Sequence, residues 1–128
     1  MSQVYLLDTN IIVPILNRDI VLRNRIETID FVISGTILGE LYFGAYRSGK
    51  QQENLAKIEI FKTQCTIINC DEGTSDIYGQ IKQQLRVKGR PIPENDIWIG
   101  ATAIQHDLIL VSRDMHFQEV DNLHLEKW

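Results

Sequence analysis

The sequence predicts an α/β fold, with a central parallel sheet of four to five strands and helices on both faces. Three observations lead there. Short runs of strand length occur at residues 4–7, 31–33, 66–69 and 108–112, and the first and last are apolar almost throughout, as strands covered on both faces are. Between these runs lie longer segments in which apolar residues recur every three or four positions, the helical period. No Pro/Gly/Ser linker, repeat or low-complexity tract breaks the alternation, so the 128 residues read as one domain, residues 1–128.

Composition narrows the class without deciding it. A hydrophobic fraction of 44% and a charged fraction of 23% are ordinary for a globular chain large enough to bury a proper core. The apolar runs are far below membrane-spanning length and nothing at the N-terminus resembles a secretion signal, so no membrane association is expected. Cys65 and Cys70 flank a predicted strand on opposite faces, roughly 16 Å apart at strand rise, too far to bridge. Two free thiols suit a cytoplasmic location. The net charge of −4 speaks weakly against a nucleic-acid partner. If several acids converge on bound cations, however, that formal charge overstates the negative field a substrate meets.

Taken in order, residues 4–7 form the first strand and deliver Asp8 to its carboxyl end, followed by a helix over 11–16. Pro14 is tolerated there if it falls within about the first turn. A mixed helix spans 20–29, with Ile20, Val21, Ile26 and Ile29 apolar and Arg23, Arg25 and Glu27 exposed. After the strand at 31–33, Ser34 is placed to cap a helix whose buried stripe is Ile37, Leu38, Leu41, Tyr42 and Ala45. Residues 55–61 are a further amphipathic helix and 66–69 a third strand. Asp71 to Thr74 make a turn and cap for a helix over 75–87, stopped by Gly89 and Pro91. The helix over 97–105 is apolar or small almost all round and must be buried on most of its surface. Residues 108–112 are a fourth strand ending in Arg113-Asp114, and 123–125 a last short one.

Four acids stand out in this layout. Asp8 and Asp114 follow strand carboxyl ends, while Glu40 and Asp96 lie on helices that begin at the same edge. In open α/β sheets that edge is where ligands bind. Each acid also has a plainer reading. Asp8, Thr9 and Asn10 are all good N-caps, Asp96 competes with Asn95 to cap its helix, and a lone Glu on a helix is usually solvated. Glu40 fits the plain reading least well, because it lies between buried positions with Gly44 one turn on, leaving room for a close approach. Four carboxylates on one rim repel one another, and hard cations such as Mg²⁺ or Mn²⁺ relieve that repulsion. Neither the cysteines nor His106, His116 and His124 show zinc-ligand spacing, and His116 reads as a packing residue beside Phe117. No serine sits in a nucleophile turn. Asn10, where a haloacid-dehalogenase-type phosphatase needs a second Asp, argues against that class.

Four blocks then carry a resemblance over nearly the whole chain. Leu7-Asp8-Thr9-Asn10, Glu40-Leu41-Tyr42-Phe43-Gly44, Asn95-Asp96-Ile97-Trp98-Ile99-Gly100-Ala101 and Leu110-Val111-Ser112-Arg113-Asp114 with His116-Phe117 resemble the PIN-domain ribonucleases, more closely the VapC-type toxins of bacterial toxin–antitoxin pairs. The Leu-Glu-Lys-Trp ending is similar to the family's closing strand. The resemblance implies a PIN-like three-layer sandwich and a Mg²⁺- or Mn²⁺-dependent endoribonuclease leaving a 5′-phosphate and a 3′-hydroxyl. It places Asp8, Glu40, Asp96 and Asp114 as catalytic metal ligands, supported by Asn10 and Ser112. The fourth acidic place varies among members, with Asp121 a distant rival to Asp114, and Gly100 stands where alanine is more usual. A small antitoxin docked on the early helices and a toxin homodimer are implied as well. Arg47, Lys50, Arg86, Lys88 and Arg90 are the basic clusters near the rim and the candidate RNA contacts. A non-catalytic RNA- or protein-binding module of the same fold is the competing expectation.

Overall fold

Residues 3–128 are described by the structure, a computed structural model. Among them, β1 (Val4–Leu7), β2 (Asp30–Ser34), β3 (Thr66–Ile68), β4 (Ile109–Val111) and β5 (Leu125–Glu126) form one sheet in the order β3-β2-β1-β4-β5. Every neighbouring pair is parallel. The chain steps outward from β1 to β2 and β3, then crosses back to β4 on the other side of β1. The strand order therefore reverses between β1 and β4, and such a switch point opens a crevice beyond the strand carboxyl ends. Leu7 is in register with Val111, and the Asp8 N–H donates to the Val111 carbonyl at 3.0 Å, so Asp8 and Ser112 emerge side by side at that crevice.

The helices are α1 (Thr9–Leu16), α2 (Ile20–Ile26), α3 (Gly35–Tyr46), α4 (Gln51–Lys62), α5 (Glu72–Lys88) and α6 (Glu94–Gln105), with a 3-10 turn at Met115–Glu119. The main core joins Leu6, Leu7, Ile33, Leu110 and Val111 of the sheet to Ile11, Ile12 and Ile15 of α1, Ile37 and Leu41 of α3, and Ile58 and Phe61 of α4. α6 buries Ile99 and Ala103 in that core, and Ile97 and Ala101 in a smaller one with Ile81 and Leu85 of α5. Packing on two sides explains why its sequence is apolar nearly all round.

Several boundaries differ from expectation for local reasons. α1 begins at Thr9 rather than residue 11, because Asp8 is already extended and caps it. Pro14 thus lies beyond the first turn, where it cannot donate to the Asn10 carbonyl; the helix ends two residues later. α2 stops at Ile26, short of the predicted residue 29, as the Thr28 hydroxyl turns back onto the Arg25 carbonyl at 2.8 Å. Ile20 and Val21 are exposed rather than packed inward. α5 starts at Glu72, secured by a reciprocal cap between Asp71 and Thr74. The last strand pairs at Leu125 and Glu126, slightly later than 123–125.

Candidate active site

Asp8 leaves β1 buried, and its two oxygens serve different partners. Oδ1 accepts from the Thr9 N–H at 2.8 Å, while Oδ2 accepts from the Ser112 hydroxyl at 2.7 Å. It is a helix cap and a rim carboxylate at once, so the two readings of the sequence do not compete here. Thr9, directly after it, donates its hydroxyl to Glu40 Oε1 at 2.9 Å across from α3. Ser34 caps α3, as expected, by accepting from the Ile37 N–H.

Asp96 does not cap α6, and neither does Asn95; Pro93 occupies the cap position with no side-chain bond. Its buried carboxylate instead faces His116, whose Nδ1 lies 3.2 Å from Asp96 Oδ2 and 3.0 Å from Asp114 Oδ1. Only a protonated Nδ1 sits favourably between two carboxylates. Asp114 also accepts from the His116 backbone N–H at 3.0 Å, which starts the 3-10 turn. The expectation that His116 packs beside Phe117 is therefore corrected: Phe117 is buried, whereas the imidazole is exposed at the acidic rim. Asp96, Asp114 and His116 together bring ligand-type atoms within 4.8 Å of one another.

Ser112 is the fastening between the two central strand ends. Buried to 2% exposure, it donates to Asp8 and accepts from the Asn10 amide at 3.3 Å and the Asp114 N–H at 3.0 Å. Asn10 completes the tie by accepting from the Arg113 N–H at 3.1 Å. Ser112→Ala strips three buried or half-buried polar partners at once. It is expected to cost about 1–3 kcal/mol of stability, read by denaturant unfolding; an unchanged midpoint contradicts this role for the hydroxyl.

Asp96 and Asp8 are the two acids of the rim whose proton affinity is raised. Burial, and then the charges of Asp8, Asp114 and Glu40, push the Asp96 carboxyl from 3.8 up to about 6, against the lowering effect of His116. Asp8 is also raised, first by burial and further by Glu40 and Asp114, although Ser112 and the Thr9 N–H pull it down. Among the described residues no lysine or arginine pairs with any of the four. A cluster in which buried carboxyls are raised in this way, with no lysine or arginine beside it among the described residues, is chemically matched to a hard divalent cation, which oxygen donors select. Asp121 stands apart from this arrangement, paired with Lys88 at 2.9 Å.

Arg47, of the basic candidates, lines the cleft that contains Glu40, together with Thr9 and Asn95. Lys88 is held by the Glu119 carbonyl and Asp121, and Arg86 donates to Gln83. Lys50 precedes α4, and Arg90 follows the left-handed Gly89 that ends α5; both are exposed. Thr9 and His116 are the site neighbours that the sequence reading passed over. Thr9 stood inside the quoted Asp-Thr-Asn block, and His116 followed Asp114 by the two residues that an acid's backbone turn spans.

Comparison with known proteins gives a consistent result. The sequence pattern of the PIN domain matches residues 5–123. Ribonuclease VapC2 of Haemophilus influenzae is 36% identical over 128 residues, with 97% of each chain covered. The tRNA(fMet)-specific endonuclease VapC of Shigella flexneri is 34% identical over 128 residues, again with 97% of each chain covered. Among solved structures, VapBC2 from Rickettsia felis bound to a DNA fragment from the promoter superposes with a TM-score of 0.93 at 32% identity, covering 98% of this chain and 99% of that one.

Proposed function

The chain belongs to the PIN-domain family, and from that premise we propose that it is a Mg²⁺- or Mn²⁺-dependent endoribonuclease acting as the toxin of a type II toxin–antitoxin pair. One observation carries the catalytic part: the buried carboxyls of Asp8 and Asp96 are both raised, first by burial and further by the charges of their acidic neighbours Glu40 and Asp114, and among the described residues no lysine or arginine pairs with any of the four. The relatives named ribonuclease and endonuclease supply the reaction class. Asp8, Glu40, Asp96 and Asp114 are the groups that would hold the cation. When bound, it supplies a water of lowered pKa and positive charge opposite the leaving oxygen.

The chain's own residues organise that rim. Ser112 and the Thr9 N–H aim the two Asp8 oxygens, and the Thr9 hydroxyl fixes one oxygen of Glu40. His116 holds Asp96 and Asp114 close despite their repulsion. Asn10, through Ser112 and the Arg113 N–H, ties the end of β4 to the start of α1. Arg47 is placed to meet substrate phosphate, with Lys50, Arg86, Lys88 and Arg90 as outlying contacts. A binding module without catalysis gains nothing from a carboxylate cluster that works against its own stability.

The toxin reading adds partners. The solved VapBC neighbours are toxin–antitoxin complexes, and α1, α2 and α4 here leave a groove of about 540 Å³ lined by Leu16, Ile26, Ile60 and Phe61 between Arg23 and Lys57. Exposed Ile20, Val21 and Ile60 extend its apolar surface. This groove is the proposed seat of a small antitoxin whose basic or polar side chain reaches the acidic rim; a toxin homodimer completes the assembly. Residues 1–128 act as one catalytic unit, and the two free thiols, Cys65 and Cys70, suit a reducing cytoplasm.

Incubating end-labelled RNA, tRNA(fMet) first, with the chain and Mg²⁺ or Mn²⁺ is expected to yield fragments with 5′-phosphates and 3′-hydroxyls, and a chelator to stop the reaction. Equal cleavage in chelator contradicts cation dependence. Overproduction in a bacterial cell is expected to arrest growth; harmless overproduction removes the toxin reading and leaves the nuclease reading standing.

A further inference from the structure

We infer that Phe43 and Arg47 form a subsite in which one unpaired base of the RNA strand stacks beside the carboxylate rim while the guanidinium meets its phosphate. This deepens the ribonuclease reading and rests on it. Glu40, Phe43 and Gly44 lie on one stripe of α3, and Arg47, its helical C-cap, continues that stripe, at spacings of three, four and seven residues. All four line the same cleft of about 890 Å³, which Asn95 borders from the start of α6. The stripe runs outward from the carboxylate, with Phe43 one turn and Arg47 two turns along.

Phe43 is 66% exposed, and among the described residues no other aromatic ring packs on it. Its recorded ring partner is the Arg47 guanidinium, 5.4 Å from the centroid. The neighbouring Tyr42, by contrast, is occupied by Tyr46, Glu59 and Lys62. A Cβ at Gly44 or Gly39 would meet no atom within 4 Å beyond the helix's own backbone, so neighbouring packing does not call for glycine at either place. Glycine inside a helix is destabilising, and here it keeps the cleft wall open beside the ring.

An exposed ring, a guanidinium above it and an open wall are what a flat, anionic ligand uses. Proteins hold single-stranded RNA by stacking unpaired bases on aromatic rings and arginine planes, and a duplex cannot offer its bases this way. Arginine suits the second task as well, because its fork matches phosphate oxygens. Among the described residues, Arg47 is also the one basic side chain lining the cleft that holds Glu40, where an approaching RNA strand meets a carboxylate.

The test pairs a protein change with a substrate change. A short unstructured RNA that the wild-type chain cuts is prepared with a single abasic nucleotide at each position around the cleavage point. For wild type, one abasic position is expected to raise KM about tenfold. In Phe43→Ala the intact RNA shows that same rise with kcat little changed, and the abasic position adds nothing further. Phe43→Trp restores the wild-type pattern, and Arg47→Ala lowers the salt dependence of KM by about one phosphate contact. Phe43 lies on the surface, so thermal unfolding of Phe43→Ala checks that the fold is kept. If Phe43→Ala has an unchanged KM and every abasic position costs it what it costs wild type, the subsite is overturned while the ribonuclease reading stands. A variant with unchanged KM that loses its hold on a co-expressed antitoxin overturns it too, giving the slot to protein. If wild type cuts no RNA at all, both readings fall.

Discussion

Asp8→Asn is expected to lower RNA cleavage by at least about 10²–10³-fold while leaving the fold in place. The reasoning starts from what the side chain does twice over. Asparagine keeps an oxygen that accepts from the Thr9 N–H at the head of α1, so the capping half of the role survives. Its amide nitrogen then faces the Ser112 hydroxyl, whose two lone pairs already take the Asn10 amide and the Asp114 N–H, so that one bond is lost, a cost set against the relief of a buried charge. What disappears is a negative charge at the centre of the cluster, beside Glu40, Asp96 and Asp114. Because that charge is raised by burial, its loss relieves strain, and stability should stay within about 1 kcal/mol of wild type or rise. Steady-state cleavage and denaturant unfolding of the same preparation check the two halves. Unchanged cleavage removes Asp8 from the mechanism; collapse of the fold means the cap was its main task.

Stability in chelator is expected to fall as pH rises from about 4 to about 6, the reverse of most acidic proteins. Asp96 is shifted to about 6 in the folded chain from 3.8, so in that window the folded state binds more protons than the unfolded one. Stability then declines with pH and stays at its lower level above the folded value. Allowing for solvent screening at the rim, the change is about 2 kcal/mol, and Asp8, raised as well, adds in the same direction. Asp71, Glu59 and Glu94 are lowered instead; their contribution is lost as pH falls from the ordinary carboxylate range toward their folded values, so they oppose this trend only at the acid edge of the window and cancel in the comparison with Asp96→Asn. Mg²⁺ should reverse the trend, because it needs ionised carboxylates. At a hundred times its dissociation constant it stabilises by about 2.7 kcal/mol, an effect present at neutral pH and gone near pH 5. Urea unfolding of wild type and Asp96→Asn across pH 4.5–7.5, with and without Mg²⁺, measures both effects. Identical pH profiles for the two proteins contradict the assignment.

The parts legible in the sequence are those in which one periodicity dominates. β1 and β4 are apolar because helices cover both faces, and the buried Ile37, Leu41 and Ala45 of α3 follow the spacing that predicted them. α6 was readable because two cores claim it. Boundaries slipped where a single hydrogen bond decides, as with Thr28 ending α2 and Asp71 starting α5 three residues early. Ile20 and Val21 were misleading because hydrophobicity gives no direction when the surface itself is apolar. That Asp8 and Asp114 emerge at a shared edge followed from strand order, since they follow the carboxyl ends of the neighbouring parallel strands β1 and β4. His116 was missed for the opposite reason: its place is set by contact with Asp96, twenty residues upstream, and nothing local marks an imidazole that bridges two carboxylates. Thr9 likewise looks like a cap until α3 brings Glu40 to it.

Calorimetric titration of Mn²⁺ into the wild-type chain and into Asp96→Asn at neutral pH tests the account most directly. Saturable binding by wild type, weakened at least about tenfold by the substitution, is the predicted result. Wild-type protein that takes up no ion, or a variant that binds it equally well, would mean that the clustered acids serve some purpose other than holding a cation.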